Sequence, residues 1–261
     1  MQIVSLSPEL FIRKRGNVLE SQPMKGTARR EPSWVADEAA RLALSRDEKN
    51  RAENVMIVDL VRNDLGRICK MGSVTVPELW HVDRFPTVHQ MTSLVRGEVR
   101  EDVSLFDIFA ALFPPGSVTG APKIRAMQVI ADLEPEPRGI YCGTIGLFFP
   151  NGDFECNVAI RTIQCDGRRG GLSLRNPPVS DVPSSLTHPC VLGLGSGIVA
   201  DSDPESEWQE TLLKGNFVTQ RPLDFLLYET IRYEVSPPLQ RGGLRGGIFC
   251  DLHLHLRRLR Q

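Results

Sequence analysis

The sequence predicts an α+β protein, in which blocks of antiparallel strand and amphipathic helices occupy separate stretches of chain. Three observations carry this. The run at 73–99, "SVTVPELWHVDRFPTVHQMTSLVRGEV", is dense in Val, Thr and aromatic residues and reads as strands. "PNGD" at 150–153 lies between two apolar runs and is a hairpin signal, because Asn-Gly tolerates positive φ. Helix starts and stops with recognisable capping chemistry surround these blocks.

In chain order, the first helix is expected to open at Ser45, where "SRDE" sets Glu48 three residues on as a capping box requires, and to stop near Gly66. The strand block follows. "SLFDIFAALF" at 104–113 is a short amphipathic helix closed by Pro114 and Pro115. "GSVTGAPKIRAMQVIADLE" at 116–134 opens another, with Pro122 at its first helical position. "YCGTIGLFF" and "FECNVAIRTIQ" form the two arms of the hairpin and carry Tyr141 and Arg161. Residues 166–190 are rich in Gly, Pro and Ser without periodicity and read as an exposed loop. "CVLGLGSGIVADSDP" is a glycine-punctuated strand, and a last strong helix starts at Asp203-Pro204. From Pro222 the composition shifts to strand-like "LDFLLYETIRYEV", a Gly/Pro/Arg loop and a basic terminal helix, "DLHLHLRRLRQ".

Composition narrows the function. The chain has 261 residues, with 31 basic against 32 acidic side chains and a net charge of -1. Such a balance points to neither nucleic acid nor an anionic membrane as partner. No apolar run approaches the roughly 20 residues that span a bilayer, and "MQIVSLSPEL" lacks the pattern of a secretory signal. Six scattered cysteines without a CxxC pair argue against a zinc site or disulfide framework, so a reducing, cytoplasmic setting is expected.

Several constellations could carry chemistry. On the helix "DPESEWQETLLK", Glu207, Glu210 and Lys214 share one face, beside an apolar stripe of Trp208 and Leu212. They form either a solvated charged face or a pair of carboxylates suited to a hard cation such as Mg²⁺. Glu53 lies mid-helix beside Met56 and Leu60, either reaching for water or paired inside a site. Thr119 and Gly120 precede a helix start, whose free N–H groups can cradle a carboxylate or phosphate. Gly195, Ser196 and Gly197 lack the third glycine of a dinucleotide fingerprint and fit close approach of backbone to a ligand better. Tyr141 and Arg161 could hold a carboxylate together, or simply pack across strands. His89 by itself is as compatible with a satisfied core histidine. Lys25, between Met24 and the Gly26-Thr27 turn of "PMKGT", is either a surface lysine or a partly desolvated amine, as a nucleophile requires.

Each of these signals alone is weak, but their order and spacing are not. The chain resembles the chorismate-utilising enzymes: the large subunits of anthranilate and aminodeoxychorismate synthases, and the isochorismate and salicylate synthases. The collinear runs that carry the resemblance are "SPELF", "PMKGT", "KNRAENVMIVDLVRNDLGR", "PTVHQMTS", "FPPGSVTGAPK", "RGIYCG", "NVAIRT" and "GSGIVADSDPESEWQETLLK". The resemblance implies a layered α/β/β/α sandwich of mostly antiparallel sheets. It implies Mg²⁺ on Glu53, Glu207 and Glu210, and a substrate held by Tyr141, Arg161, the backbone at Gly195, Ser196 and Gly197, Lys214, Thr119, Gly120, Gly26 and Thr27. His89 falls beside the reacting ring, and Glu9 matches the general acid that assists departure of the C4 hydroxyl. A lysine in "PMKGT" resembles the aminodeoxychorismate synthase variant, where the amine attacks C2 and ammonia then displaces it through C4. Isochorismate and salicylate synthases also carry a lysine here and use it to activate water. The implied activity is amino transfer to chorismate, a transaminase-class reaction on the route to 4-aminobenzoate and folate, with ammonia from a separate glutamine amidotransferase subunit. Anthranilate or isochorismate synthesis on the same scaffold is the alternative, and a truncated inactive paralogue the alternative of another kind.

Three departures from the family pattern accompany this. The N-terminal half of the usual domain is expected to be missing, so residues 1–218 form a partial catalytic domain. The loop 166–190 within it is longer than the family's. Residues 222–261 resemble the opening of aminodeoxychorismate lyase, a pyridoxal-phosphate enzyme, but hold no lysine for a Schiff base.

Overall fold

Proline and glycine placement shapes the main sheet. In the computed structural model, which describes residues 1–86, 88–165, 190–200, 202–219, 233–234 and 248–249, β3 (Val18–Gln22) and β4 (Met24–Arg29) run end to end along one edge of β6 (Val88–Glu98). The break between them is Pro23, which has no N–H for the ladder; its carbonyl accepts from Ser93 N at 3.1 Å instead. β5 (Thr75–Arg84) takes the other edge of β6, and β2 (Leu10–Arg15) pairs with β3. β8 (Phe154–Val158) and β7 (Thr144–Phe148) complete seven strands, every neighbouring pair antiparallel. A second sheet of three strands joins β1 (Gln2–Ser5), β9 (Thr162–Cys165) and β10 (Cys190–Leu192).

Helices α1 (Trp34–Arg46), α2 (Glu48–Gly66), α3 (Leu105–Leu112), α4 (Lys123–Leu133) and α5 (Pro204–Lys214) flank the sheets. The core is built where α2 and α3 meet the main sheet: Ile12, Leu19, Leu65 and Val95 are wholly buried with Ile57, Val61 and Phe154 around them. Each such side chain contributes about 1.5–3 kcal/mol on leaving water. α4 and α5 differ, since neither has a buried residue.

Chain contacts divide the molecule into Met1–Gly215 and Asn216–Gln261. Of the second unit, helix α6 (Asn216–Thr219) and an antiparallel pair, β11 (Tyr233–Glu234) with β12 (Ile248–Phe249), are described. The expected terminal helix and all of the expected loop but Cys190 lie outside the described residues.

The structure confirms the strand block, the hairpin, the 104–113 helix with its Ser104–Asp107 capping box, and the Asp203 cap. It corrects five details. Ser45 lies in the last turn of α1, its hydroxyl donating to Leu42 O; the next helix is capped by Asp47, which accepts from Asn50 N at 2.7 Å. Pro122 is the N-cap of α4 rather than its first residue, since Lys123 begins the helix. "FECNVAIRTIQ" is two strands, because Arg161 turns left-handed (φ 48°) and sends the chain from one sheet into the other. Tyr141 and Arg161 therefore stand just outside the hairpin arms. Only Cys190–Leu192 of the "CVLGLGSGIV" stretch is strand. Finally, Cys165 and Cys190 face each other across the β9–β10 ladder and form a disulfide, against the expectation of none.

Candidate active site

The loop geometry after Pro23 singles out Lys25. The register shifts between Met24 and Thr27, which lifts Lys25 and Gly26 out of the ladder. Gly26 has φ 89°, and a Cβ there would sit 2.8 Å from Asn50 Oδ1 on α2, so the position demands glycine on two counts. Gln90 pins the turn, donating from Nε2 to Gly26 O and accepting the Thr27 hydroxyl, both at 2.8 Å. Lys25 is half-buried, and among the described residues its amine makes no hydrogen bond or ion pair. It lies 3.6 Å from where a Cβ on Gly197 would be, so the backbone at Gly197 comes close to it.

Glu9 is the buried acid beside it. Its backbone is fixed by the Ser7 hydroxyl and by Val158 N–H, and its side chain is only 6% exposed. Burial pushes its carboxyl up to about 7, while the Ser117 hydroxyl and the Lys25 charge pull the other way. It shares a small cavity with Ser21, Pro23, Asp64 and Ser117, with room for about one water. Asp64 pairs with Lys123, which also donates to Leu112 O at 2.9 Å. That buried pair ties the start of α4 to the end of α2 and so sets the 113–122 loop carrying Ser117 and Thr119.

On the facing side, a Cβ on Gly193 or Gly195 would collide with the Tyr141 ring, at 2.7 Å from its hydroxyl oxygen for Gly195. Burial holds the Tyr141 phenol protonated. Lys214 donates to Gly195 O at 3.0 Å and pairs with Glu210 at 2.7 Å. Glu207 accepts the Ser202 hydroxyl at 2.7 Å; that hydroxyl and Ser196 hold its carboxyl below the ordinary range. Its second oxygen, Oε2, is buried without a hydrogen bond. Thr119 spends its hydroxyl on Pro115 O at 3.1 Å, and Gly120 follows with φ 118°, so the pair shapes the turn before α4.

The structure thus brings Lys25, Glu9 and Gly197 together, and separately Tyr141, Gly195, Lys214 and Glu210. Arg161 is exposed and has no ion pair among the described residues. His89 is wholly buried between β6 and α1, with Nε2 2.9 Å from Asp37. Three carboxylates are a fitting donor set for Mg²⁺, and the unpartnered Oε2 of Glu207 is a free lone pair. Yet among the described residues no three His, Cys, Asp or Glu gather closely enough to hold a metal ion, so Glu53, Glu207 and Glu210 do not form that group in this arrangement.

Sequence reading missed Asn50, Asp64, Lys123, Ser117 and Ser202, the supports of these groups. A signal was present for two: "RND" and "PK" stand inside the quoted motifs, and an acid and a lysine at such helix ends invite pairing. Asn50 and Ser117 act through tertiary contacts invisible to spacing, whereas Ser202 bonds Glu207 only five residues on.

Comparison with known proteins finds matches over most of the chain. The family described as chorismate binding enzyme matches residues 1–220. A probable chloroplastic aminodeoxychorismate synthase from Oryza sativa subsp. japonica is 44% identical over 221 residues, covering 84% of this chain and 22% of the relative. Aminodeoxychorismate synthase component 1 from Bacillus subtilis (strain 168) is 40% identical over 229 residues, covering 88% of this chain and 44% of the relative. Among solved structures, anthranilate synthase component I from Streptococcus pneumoniae TIGR4 superposes with a TM-score of 0.66 at 33% identity, over 84% of this chain and 44% of the other. The chain spans less than half the length of each.

Proposed function

From the premise that the chain belongs to the chorismate binding enzyme family, we propose that it carries the catalytic centre of an aminodeoxychorismate synthase. The observation that carries the proposal is Lys25: an unpaired amine lifted from its ladder by a bulge, beside a buried acid whose carboxyl sits near 7. In this reading the free amine of Lys25 attacks C2 of chorismate while the C4–O bond breaks. Glu9, protonated near neutral pH, gives its proton to the departing hydroxyl, which leaves as water. Ammonia then bonds to C4 and the Lys25–C2 bond breaks, returning the electron pair to the lysine. Tyr141, Lys214 and the Gly195 backbone hold the far end of the substrate. Mg²⁺ on Glu53, Glu207 and Glu210 belongs to the proposal on donor chemistry alone, and no step is routed through it.

A glutamine amidotransferase subunit as ammonia source belongs to the same proposal, supported by the words "component 1" in relatives' names. So does a cytoplasmic location; no described helix is long and apolar enough to cross a membrane. The test is product analysis with chorismate, Mg²⁺ and an ammonium salt. A product aminated at C4 is expected; amination at C2 would make the site an anthranilate synthase, and hydroxylation at C2 an isochorismate synthase.

A further inference from the structure

In the run "RGIYCG", Arg138 stands three residues before Tyr141, and its guanidinium binds two separate elements. Nε and Nη2 fork onto Glu134, the C-cap of α4, at 2.8 and 2.6 Å. Nη1 donates to Val118 O at 2.9 Å, in the single helical turn Gly116–Val118. The Arg138 side chain is only 25% exposed, so solvent screens these charge-assisted bonds only in part.

Each end of that bracket leads to a residue of the site. Ser117, next to Val118, bonds the buried carboxyl of Glu9. Its turn is seated on α2, because a Cβ on Gly116 would collide with Leu60, and Arg138 holds it from the other side. At the second end, Tyr141 N–H donates to Arg138 O at 3.1 Å. Cys142 follows with a left-handed backbone (φ 64°), its N–H on Ala159 O at 3.0 Å. The buried Cys142 thiol bonds both the Arg138 guanidinium and the Tyr141 side chain. Guanidinium, thiol and phenol therefore form one chain, which ends where the Tyr141 ring packs on Gly193 and Gly195.

A guanidinium suits this place because its planar fork directs N–H groups along two edges at once; an ammonium is a point charge and cannot match both. The core between α2, α3 and the main sheet is built from apolar side chains without it. We infer that Arg138 is a positioning residue of the site: it fixes the turn carrying Ser117 against the turn carrying Tyr141. It thereby sets the separation between the acid Glu9 and the group that anchors the far end of the substrate. The roles of Glu9 and Tyr141 rest on the aminodeoxychorismate synthase reading; the bracket between the two turns does not.

The test is hydrogen exchange read by mass spectrometry on the 261-residue chain without ligand, comparing wild type with Arg138→Met and Arg138→Lys. Amides at 116–120 and at 141–143 should both exchange faster in each variant, on the order of tenfold or more, while those of α2 and β6 keep their wild-type rates. Arg138→Lys keeps the charge, so wild-type exchange in that variant would show that the fork is not needed and would overturn the inference. Loosening of only one of the two turns would overturn it too. So would faster exchange throughout α2 and β6, the mark of a general loss of stability. Should Arg138→Met fail to fold, Arg138→Lys carries the same comparison. In product assays, Ser117→Ala and Arg138→Lys should together cost less than their separate fold-losses multiplied, because both act through one turn; full multiplication would also overturn the inference. Failure of the chorismate reading shows separately, as a wild type that forms no product aminated at C4, and the exchange comparison then still decides the bracket.

Discussion

The corner formed by β4, β6, α1 and α2 and the outer surfaces of α4 and α5 are built on opposite terms. The corner is closed: Asp37, Asn54, His89 and Ser93 are all buried polar groups, and Ser93 donates to Asn54 Oδ1 at 2.5 Å. The outer surfaces are open. Ile124 and Leu133 on α4 are each 75% exposed, and on α5 Trp208 is 56% and Leu213 66% exposed. The nucleophile and acid thus rest on a buried frame, whereas Glu207, Glu210 and Lys214 sit on a helix without a buried residue. An amphipathic helix takes most of its stability from burying its apolar stripe. Glu207 and Glu210 on this helix do not gather with Glu53 of α2 into a group that could hold a metal ion.

The sharpest break of this comparison is at Lys25. Lys25→Ala should leave no detectable product aminated at C4, and Lys25→Arg should fail equally because a guanidinium stays protonated; chromatography of the products checks both. Next comes the buried latch. Lys123→Met or Asp64→Asn strands a buried charge or its partner and should cost about 3–5 kcal/mol in urea unfolding. Glu9 gives a pH signature. Its carboxyl is raised in the folded chain from 4.5 to about 7. The folded state therefore holds the proton more tightly, and stability falls as pH rises from about 4.5 through 7. The loss is on the order of 3 kcal/mol, and Glu9→Gln should flatten that limb in melts taken across pH 4 to 8. Smallest is the open surface: Trp208→Gln with Leu213→Gln should change stability by no more than about 0.5 kcal/mol each while lowering self-association in sedimentation. A large loss of stability there would mean that the surface is closed in solution.

How much of this could be read from the sequence follows the same division. The hairpin, the strand block and three helices were legible because Asn-Gly, β-branched runs and capping residues act locally. Helix α1 went unread although Ser33 caps it, accepting from Ala36 N, because its apolar periodicity is weak and it buries little. Strands β1 to β4 were likewise passed over; their short alternations make sense only beside the distant strands they pair with, β9 for β1, β8 for β2 and β6 for β3 and β4. Of the site, motif order singled out Lys25, Glu9, Tyr141 and Gly195, and the structure puts Glu9 near the Lys25 charge and Gly195 against the Tyr141 ring. Motif order could not foresee that His89 would be enclosed with Asp37, a residue 52 positions away, or that Arg161 would turn outward in a left-handed bend. Nor did cysteine spacing disclose the Cys165–Cys190 pair, which depends on the register of two strands from distant segments.

The central claim is that Lys25 is a nucleophile, and intact-mass analysis tests it most directly. The 261-residue chain is incubated with chorismate and Mg²⁺ without ammonia, then digested to locate any adduct. The account predicts an adduct of chorismate less one water on the Lys25 peptide, absent in Lys25→Ala and discharged as product when an ammonium salt is added. Formation of a C4-aminated product by Lys25→Ala, or turnover of chorismate with Lys25 never modified, would contradict it.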